Sequence, residues 1–395
     1  MGKKRARSWV KTAGIAGAAL LLLAIAGLVS WRVLMGYFVR QYYEDNYGPI
    51  PLVEASTGAF PAEYHLEDVP WIASDEPVCQ STSLQMIAAR RGIEEPRRHF
   101  DFLMGFTYGA TQVPGGLEFY PGTDPETGFA VAAPYLGLVR RYYTTDNEDL
   151  FLDALRYFLS QGFPVRVGLD MGLLYDTLEA GLPHSEVVVG YDAGGQDGRG
   201  RFYYYETVCL PETPCQPGHR PPGERGLGVS GEQLLRAIRG QAEMFDYPWR
   251  YALSVFEEGS LEQDLGPVWT RNGQALIGGA QYGPPQGADV LDALANEIQK
   301  QGPGLEVAEI LPGLEAAAYV RRENATYLRE AFPGDADLER AATLFEQASG
   351  DYEAALASLR HGIVDQAAAD QIAAWLRNAA SAEREAGQIF LARGE

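Results

Sequence analysis

Ser185-Glu-Val-Val-Val-Gly-Tyr191 and Arg201-Phe-Tyr-Tyr-Tyr-Glu-Thr207 are the two runs on which the fold turns. Both are dense in β-branched and aromatic residues, which suit a pleated, half-buried surface. Between them, Asp192-Ala-Gly-Gly195 through Gly200 carries the chemistry of a turn. Two strands joined this way predict an antiparallel hairpin. Upstream, Pro164-Val-Arg-Val-Gly-Leu169 reads as a third strand, and downstream Arg250 to Phe256 completes the sheet. A helix precedes them. Asp146 or Asn147 can cap it, Phe151, Leu155, Phe158 and Leu159 recur at helical spacing, and Gly162 can end it. A helix first and an antiparallel sheet after it predict an α+β domain.

Further upstream, an extended apolar piece from Val69 to Ile72 leads through a Pro-bearing turn to Cys79. Leu84, Ile87, Ala88 and Arg91 then fall at helical spacing, with Gly92 as C-cap. A thiol in that position stands at a helix N-terminus, where unpaired N–H groups and the helix dipole favour the thiolate. The alternative is a buried core cysteine. Residues 93–145, with many Gly, Pro and Tyr, read as loops with short helical pieces, and residues 41–68 as a stalk or strap. After Glu258 a Gly/Pro-rich linker, Gly278 to Gly287, precedes helical sequence. Val290, Leu291, Leu294 and Ile298 form one stripe there. Asp335 caps a helix with Leu338, Ala342 and Phe345, and a last helix runs from about Asp365 to Arg393.

The chain has 395 residues, 46% of them hydrophobic and 22% charged, which fits folded domains rather than disorder. A net charge of -21 excludes nucleic acid as the main partner, since a polyanion is repelled. Lys3, Lys4, Arg5 and Arg7 precede an uncharged run from Thr12 to Trp31, long enough to cross a bilayer as a helix. Trp9, Trp31, Tyr37 and Phe38 suit its two interfaces, and the basic cluster predicts the N-terminus inside. A cleaved signal peptide is the alternative, and either way residues from about Gln41 onward lie outside the cytoplasm. The predicted organisation is a basic N-terminus and transmembrane anchor over 1–40, a catalytic-type domain over 41–258, and a linker with a helical domain over 259–395. The expected location is the cell membrane, single-pass, with an extracytoplasmic globular part.

In that compartment Cys209 and Cys215, close in sequence, can form a disulfide and leave Cys79 as the free thiol. No cofactor or metal is expected, because the Cys209, Cys215 and His219 set is loosely spaced and lacks a fourth ligand. His184 begins one strand of the hairpin and Glu206 lies near the end of the other, so the two fall close in register. A carboxylate there can hold the imidazole in one tautomer and leave the other nitrogen for the Cys79 proton. Asp192 and Asp170 are rival acids, and a polar residue at a strand edge is the alternative reading of His184.

The lead-in Val69-Pro-Trp-Ile, the Cys79-x-x-x-Ser-Leu-x-Met-Ile helix ending at Gly92, the Gly162-Phe-Pro-Val-Arg-Val strand and His184-Ser-Glu-Val-Val-Val-Gly-Tyr-Asp192 resemble papain-like cysteine peptidases. The nearest type is the bacteriocin-leader-processing group, and the arrangement is also similar to the N-terminal domain of the butirosin-biosynthesis acyltransferases. The resemblance covers roughly residues 65–258, and the helical tail only faintly. It implies a papain-like fold with Cys79 as nucleophile, His184 as base and Glu206 as orienting acid. Leader peptidases of this type carry Gln about six residues before the cysteine. Here that neighbourhood offers Ser74 and Asp75, and Gln80 stands where Gly usually follows the cysteine. Ser74 and Gln80 are therefore the expected oxyanion donors beside the Cys79 N–H.

The function expected is a membrane-anchored, extracytoplasmic thiol hydrolase, peptidase- or amidase-like, acting on a peptide or acyl substrate. The alternatives are a catalytically inactive papain-like binding module and an acyltransferase of the butirosin-biosynthesis type.

Overall fold

A computed structural model gives the fold and describes residues 31, 34, 36–38, 40–53, 59–74, 76, 78–105, 111–113, 116–118, 125–175, 181–194, 198–209, 225–278, 287–305, 307–308 and 310–395. The strands among them are β1 (Pro49–Pro51), β2 (Glu63–His65), β3 (Thr111–Val113), β4 (Gly116–Glu118), β5 (Leu138–Thr145), β6 (Val165–Asp170), β7 (Pro183–Asp192), β8 (Arg201–Tyr205), β9 (Leu227–Ser230) and β10 (Tyr251–Glu258). The helices are α1 (Cys79–Ala89), α2 (Arg97–Leu103), α3 (Pro125–Ala132), α4 (Glu148–Ser160), α5 (Met171–Leu174), α6 (Gly231–Met244), α7 (Gly266–Ile277), α8 (Ala288–Gln301), α9 (Leu311–Ala331), α10 (Ala336–Leu359) and α11 (Gln366–Gly394).

Eight strands form one sheet in the order β1-β5-β10-β6-β7-β8-β9, with β2 also paired to β7. β1 runs parallel to β5, and the remaining pairs in this sheet are antiparallel. The hairpin read from the sequence is β7–β8, with Val187 opposite Tyr205 and Asp192 opposite Arg201. The strand read over Arg250 to Phe256 is β10, which lies between β5 and β6. β5 falls within the region read as loops. Its Arg140-Arg141 pair hides the strand pattern, because Arg140 turns inward to the buried carboxylate of Glu126.

The expected fold class and location are corrected here. The structure is mixed α/β with a mostly helical C-terminal region: α4 sits between β5 and β6 along the chain, and α6 between β9 and β10. Helices therefore interleave with strands instead of preceding the sheet. Among the described residues no helix is long and apolar enough to cross a membrane, so a single-pass anchor and the location drawn from it are not supported. The run from Thr12 lies outside the described residues as far as Ser30, with Trp31 at the edge of what is described.

One core joins the sheet to the helices, including Leu84, Val187, Phe256, Trp269, Leu294 and Phe345. The predicted stripe of Val290, Leu291, Leu294 and Ile298 is buried. Asn147 caps α4 by accepting from Leu150 N at 3.0 Å, and Ser230, Asp335 and Asp365 cap α6, α10 and α11 in the same way. β6 is buried at every position, Arg166 included. Gly168 lets the end of the Gln241 side chain of α6 lie close against the strand, where a Cβ would make that side chain shift. The helical segment ending at Tyr47 is pinned by an aromatic cluster of Tyr43, Tyr47, Tyr142, Tyr247 and Trp249.

Candidate active site

Cys79 is the first residue of α1, partly exposed and a free thiol. The helix begins there because Val78 sits in a non-helical conformation and its carbonyl gathers Thr82 N, Ser81 Oγ and Thr82 Oγ1. It ends where Gly92, at φ +78°, reverses the chain. Ser81, Thr82 and Ser83 are fully buried. Their hydroxyls bond back to carbonyls one turn earlier, which keeps them satisfied inside a core. Ser83 also meets Ser185 of β7 at 2.9 Å, and Ser185 accepts from Arg166 Nε. This chain of hydroxyls fixes α1 against the strand that carries His184.

His184 is buried, and its Nε2 lies 2.7 Å from Glu206 Oε1. Glu206 follows directly after β8, where it also accepts from Thr207 N at 2.8 Å, Val208 N at 3.0 Å and the Tyr175 hydroxyl at 2.5 Å. Tyr204 donates in turn to Tyr175, and Trp71 Nε1 donates to the Glu206 carbonyl. Burial disfavours the charged form of Glu206, but the His184 charge and hydrogen bonds from His184, Glu186 and Tyr175 outweigh it and hold the carboxyl at about 2. Burial likewise opposes protonation of His184. The charges of Glu206, Cys79 and Glu186, with a hydrogen bond to the Cys79 side chain, override it and hold the imidazole well above its ordinary range. The structure thus brings Cys79, His184 and Glu206 together. The rival acids are occupied elsewhere: Asp170 accepts from Gly172, Gly181 and Leu182 N, and Asp192 from Gly194 N.

The expected oxyanion donors are placed differently from each other. Ser74 pairs with Val208 in a parallel bridge, beside the Glu206 turn, and its hydroxyl accepts from Glu76 N and Arg97 Nη1. Gln80 is half-buried, and its Oε1 has no hydrogen-bond partner among the described residues. Arg97 was not anticipated. It reaches from Ser74 to the Tyr319 hydroxyl and Glu323 of α9, and pairs with the buried Asp101. Asp101 is pushed up to about 6 by burial, against the pull of Arg97. Cys215 and His219 lie outside the described residues, so the pairing of Cys209 with Cys215 stands as an expectation.

Glu186 and Tyr175 are two further site residues that sequence reading did not single out. Glu186 is fully buried, two positions after His184 on β7, with Oε1 3.0 Å from His184 Nε2. An acid at i+2 on a strand shares the face of residue i, so the signal was present in the quoted run. Tyr175, after a single-turn helix, left no such signal. Ligating atoms of His184, Glu186 and Glu206 lie within 4.8 Å of one another, a set able to hold a metal ion. No family model matches the chain, and no curated protein does.

Proposed function

We propose that the chain is a papain-like thiol hydrolase acting on the carbonyl of a peptide, amide or ester through Cys79, His184 and Glu206. The observation that carries this reading is the buried His184 ring, held at 2.7 Å by Glu206 on Nε2 and coupled to the Cys79 thiol. Because Nε2 faces the acid, Nδ1 is the atom that exchanges a proton with sulfur. The Cys79 sulfur attacks the carbonyl carbon, a C–S bond forms, and the carbonyl π pair moves onto oxygen. Collapse breaks the C–N or C–O bond, and the His184 proton goes to the leaving amine or alcohol. Water then adds to the thioester and gives a proton to His184. The C–S bond breaks and the carboxylic acid departs. Glu206 stays ionised throughout and stabilises the imidazolium. In this reading the Cys79 N–H donates to the developing oxyanion, with Ser74 or Gln80 as the expected second donor.

The test is a brief iodoacetamide pulse near neutral pH, followed by peptide mapping, and mass detection of an acyl adduct with activated peptide and ester probes. The native protein is expected to label at Cys79, and His184→Ala to slow labelling by roughly 10²–10⁴-fold. Labelling of Cys79 only after denaturation overturns the reading. Labelling without any acyl adduct turns it toward a binding module.

A further inference from the structure

The His184 site holds two carboxyl groups but offers them one imidazole N–H. Glu206 has the matching geometry. His184 Nε2, Thr207 N and Val208 N converge on its Oε1, and the Tyr175 hydroxyl on its Oε2. Those donors are the company of an ionised carboxylate, and among the described residues they leave an acceptor position on Oε2. Glu186 is fully buried beside it; the donor near its Oε1 is His184 Nε2 at 3.0 Å, which lies closer to Glu206, and neither Glu186 oxygen makes a well-formed hydrogen bond among the described residues. An ionised carboxylate in such a place is strongly disfavoured, and the group neutralises by keeping a proton.

We propose that Glu186 is a second, protonated carboxyl of the His184 unit, a positioning residue that donates its proton to Glu206 and stands in as the anion when Glu206 is lost. This rests on the thiol-hydrolase reading for its catalytic meaning, but not for its protonation state. Burial and the Glu206 charge hold Glu186 well above the usual carboxylate range, which agrees with the donor geometry. The ionisable groups facing it are His184 on its own strand, Glu206 beyond β8, the hydroxyls of Tyr175 and Tyr204, and Cys79 across the ring. Both tyrosines are held un-ionised by burial and by these glutamates, so neither adds a negative charge beside Glu186. A metal ion suits the same atoms less well. On Glu206 Oε1 it would compete with two backbone amides, and on Oε2 with the Tyr175 hydroxyl.

Two measurements test this. Infrared difference spectra of wild type against Glu186→Gln at neutral pH are expected to show the carbonyl stretch of a protonated carboxylic acid, lost in the variant. If Glu186→Gln does not fold, NMR of isotope-labelled glutamate side chains in the wild type gives the same answer. Absence of a protonated glutamate, or stoichiometric zinc uptake that abolishes its signal at neutral pH, overturns the proposal. In the labelling assay, Glu206→Gln alone is expected to slow Cys79 alkylation by about tenfold, and Glu186→Gln with Glu206→Gln by about a hundredfold or more. A double variant no slower than Glu206→Gln overturns the stand-in role. A wild-type Cys79 that never labels removes the hydrolase reading and leaves the spectroscopic result to decide the proton.

Discussion

Replacing Glu206 by alanine removes one acceptor group and strands several donors at once. His184 Nε2, Thr207 N, Val208 N and the Tyr175 hydroxyl all end on this carboxylate. Breaking a buried, hydrogen-bonded ion pair from one side costs about 3–5 kcal/mol. The lower end applies here, because Glu186 lies 3.0 Å from the same nitrogen and can take up the negative charge. For Glu206→Ala we therefore expect a loss of about 3 kcal/mol, or a melting temperature lowered on the order of 5–10 °C. The pH dependence adds a sharper criterion. Glu206 titrates at about 2 in the fold, against 4.5 for an ordinary glutamate. A carboxyl depressed in this way stabilises above its unfolded value, and that contribution disappears as pH falls from 4.5 toward 2. Thermal melts of wild type and Glu206→Ala should thus differ most at pH 7 and converge in acid. Equal melting at pH 7, or a gap that persists unchanged to low pH, would refute the assignment of Glu206 as the ionised anchor of His184.

Three further outcomes are expected. His184 is held above its ordinary value of 6.5, so its contribution to stability is complete below that pH and is lost as pH rises through the folded value; urea midpoints should decline at alkaline pH in wild type and decline less in His184→Ala. Glu126 is buried and holds both Arg140 and Arg166, so Glu126→Ala should cost about 3–5 kcal/mol, read as a lower denaturant midpoint at constant slope. Peptide mapping without reductant should recover the peptides of Cys209 and Cys215 as one linked species, and finding both thiols free would remove that pairing.

The hairpin, the capped helix before it and the thiol-bearing helix were legible because each rests on local signals: a Gly-rich turn, an Asn cap, a helical stripe closed by Gly92. β5 was not, since its Arg140 is buried through a long-range partner in α3 that no local pattern reveals. Helix α4 was legible, whereas α6, between β9 and β10, was not read from the sequence, so the interleaving of helices and strands did not show. The sequence around α6 carries a Ser cap and an amphipathic face, but its place over β6 is a long-range contact, with the Gln241 side chain lying against Gly168. At the site, the approach of His184 to Glu206 follows from strand register, and the same period of two that puts Glu186 on the face of His184 was masked by the run of valines after it. Tyr175 and Arg97 reach their partners across loops and helices, where side-chain length rather than sequence spacing sets the contact.

Arg97 makes the region after Glu258 more than an appendage. Its guanidinium touches Ser74 on one side and Tyr319 and Glu323 on the other, with Asp101 beneath. A shortened chain ending near residue 258 would keep every residue of the proposed triad, yet it would expose the apolar contacts of Phe102 with Trp269 and Tyr327 and take two of the partners of Arg97 away. The helical region thus acts as a brace for the segment leading into Cys79, and protein engineering that trims it for convenience would loosen the very turn that aims the thiol.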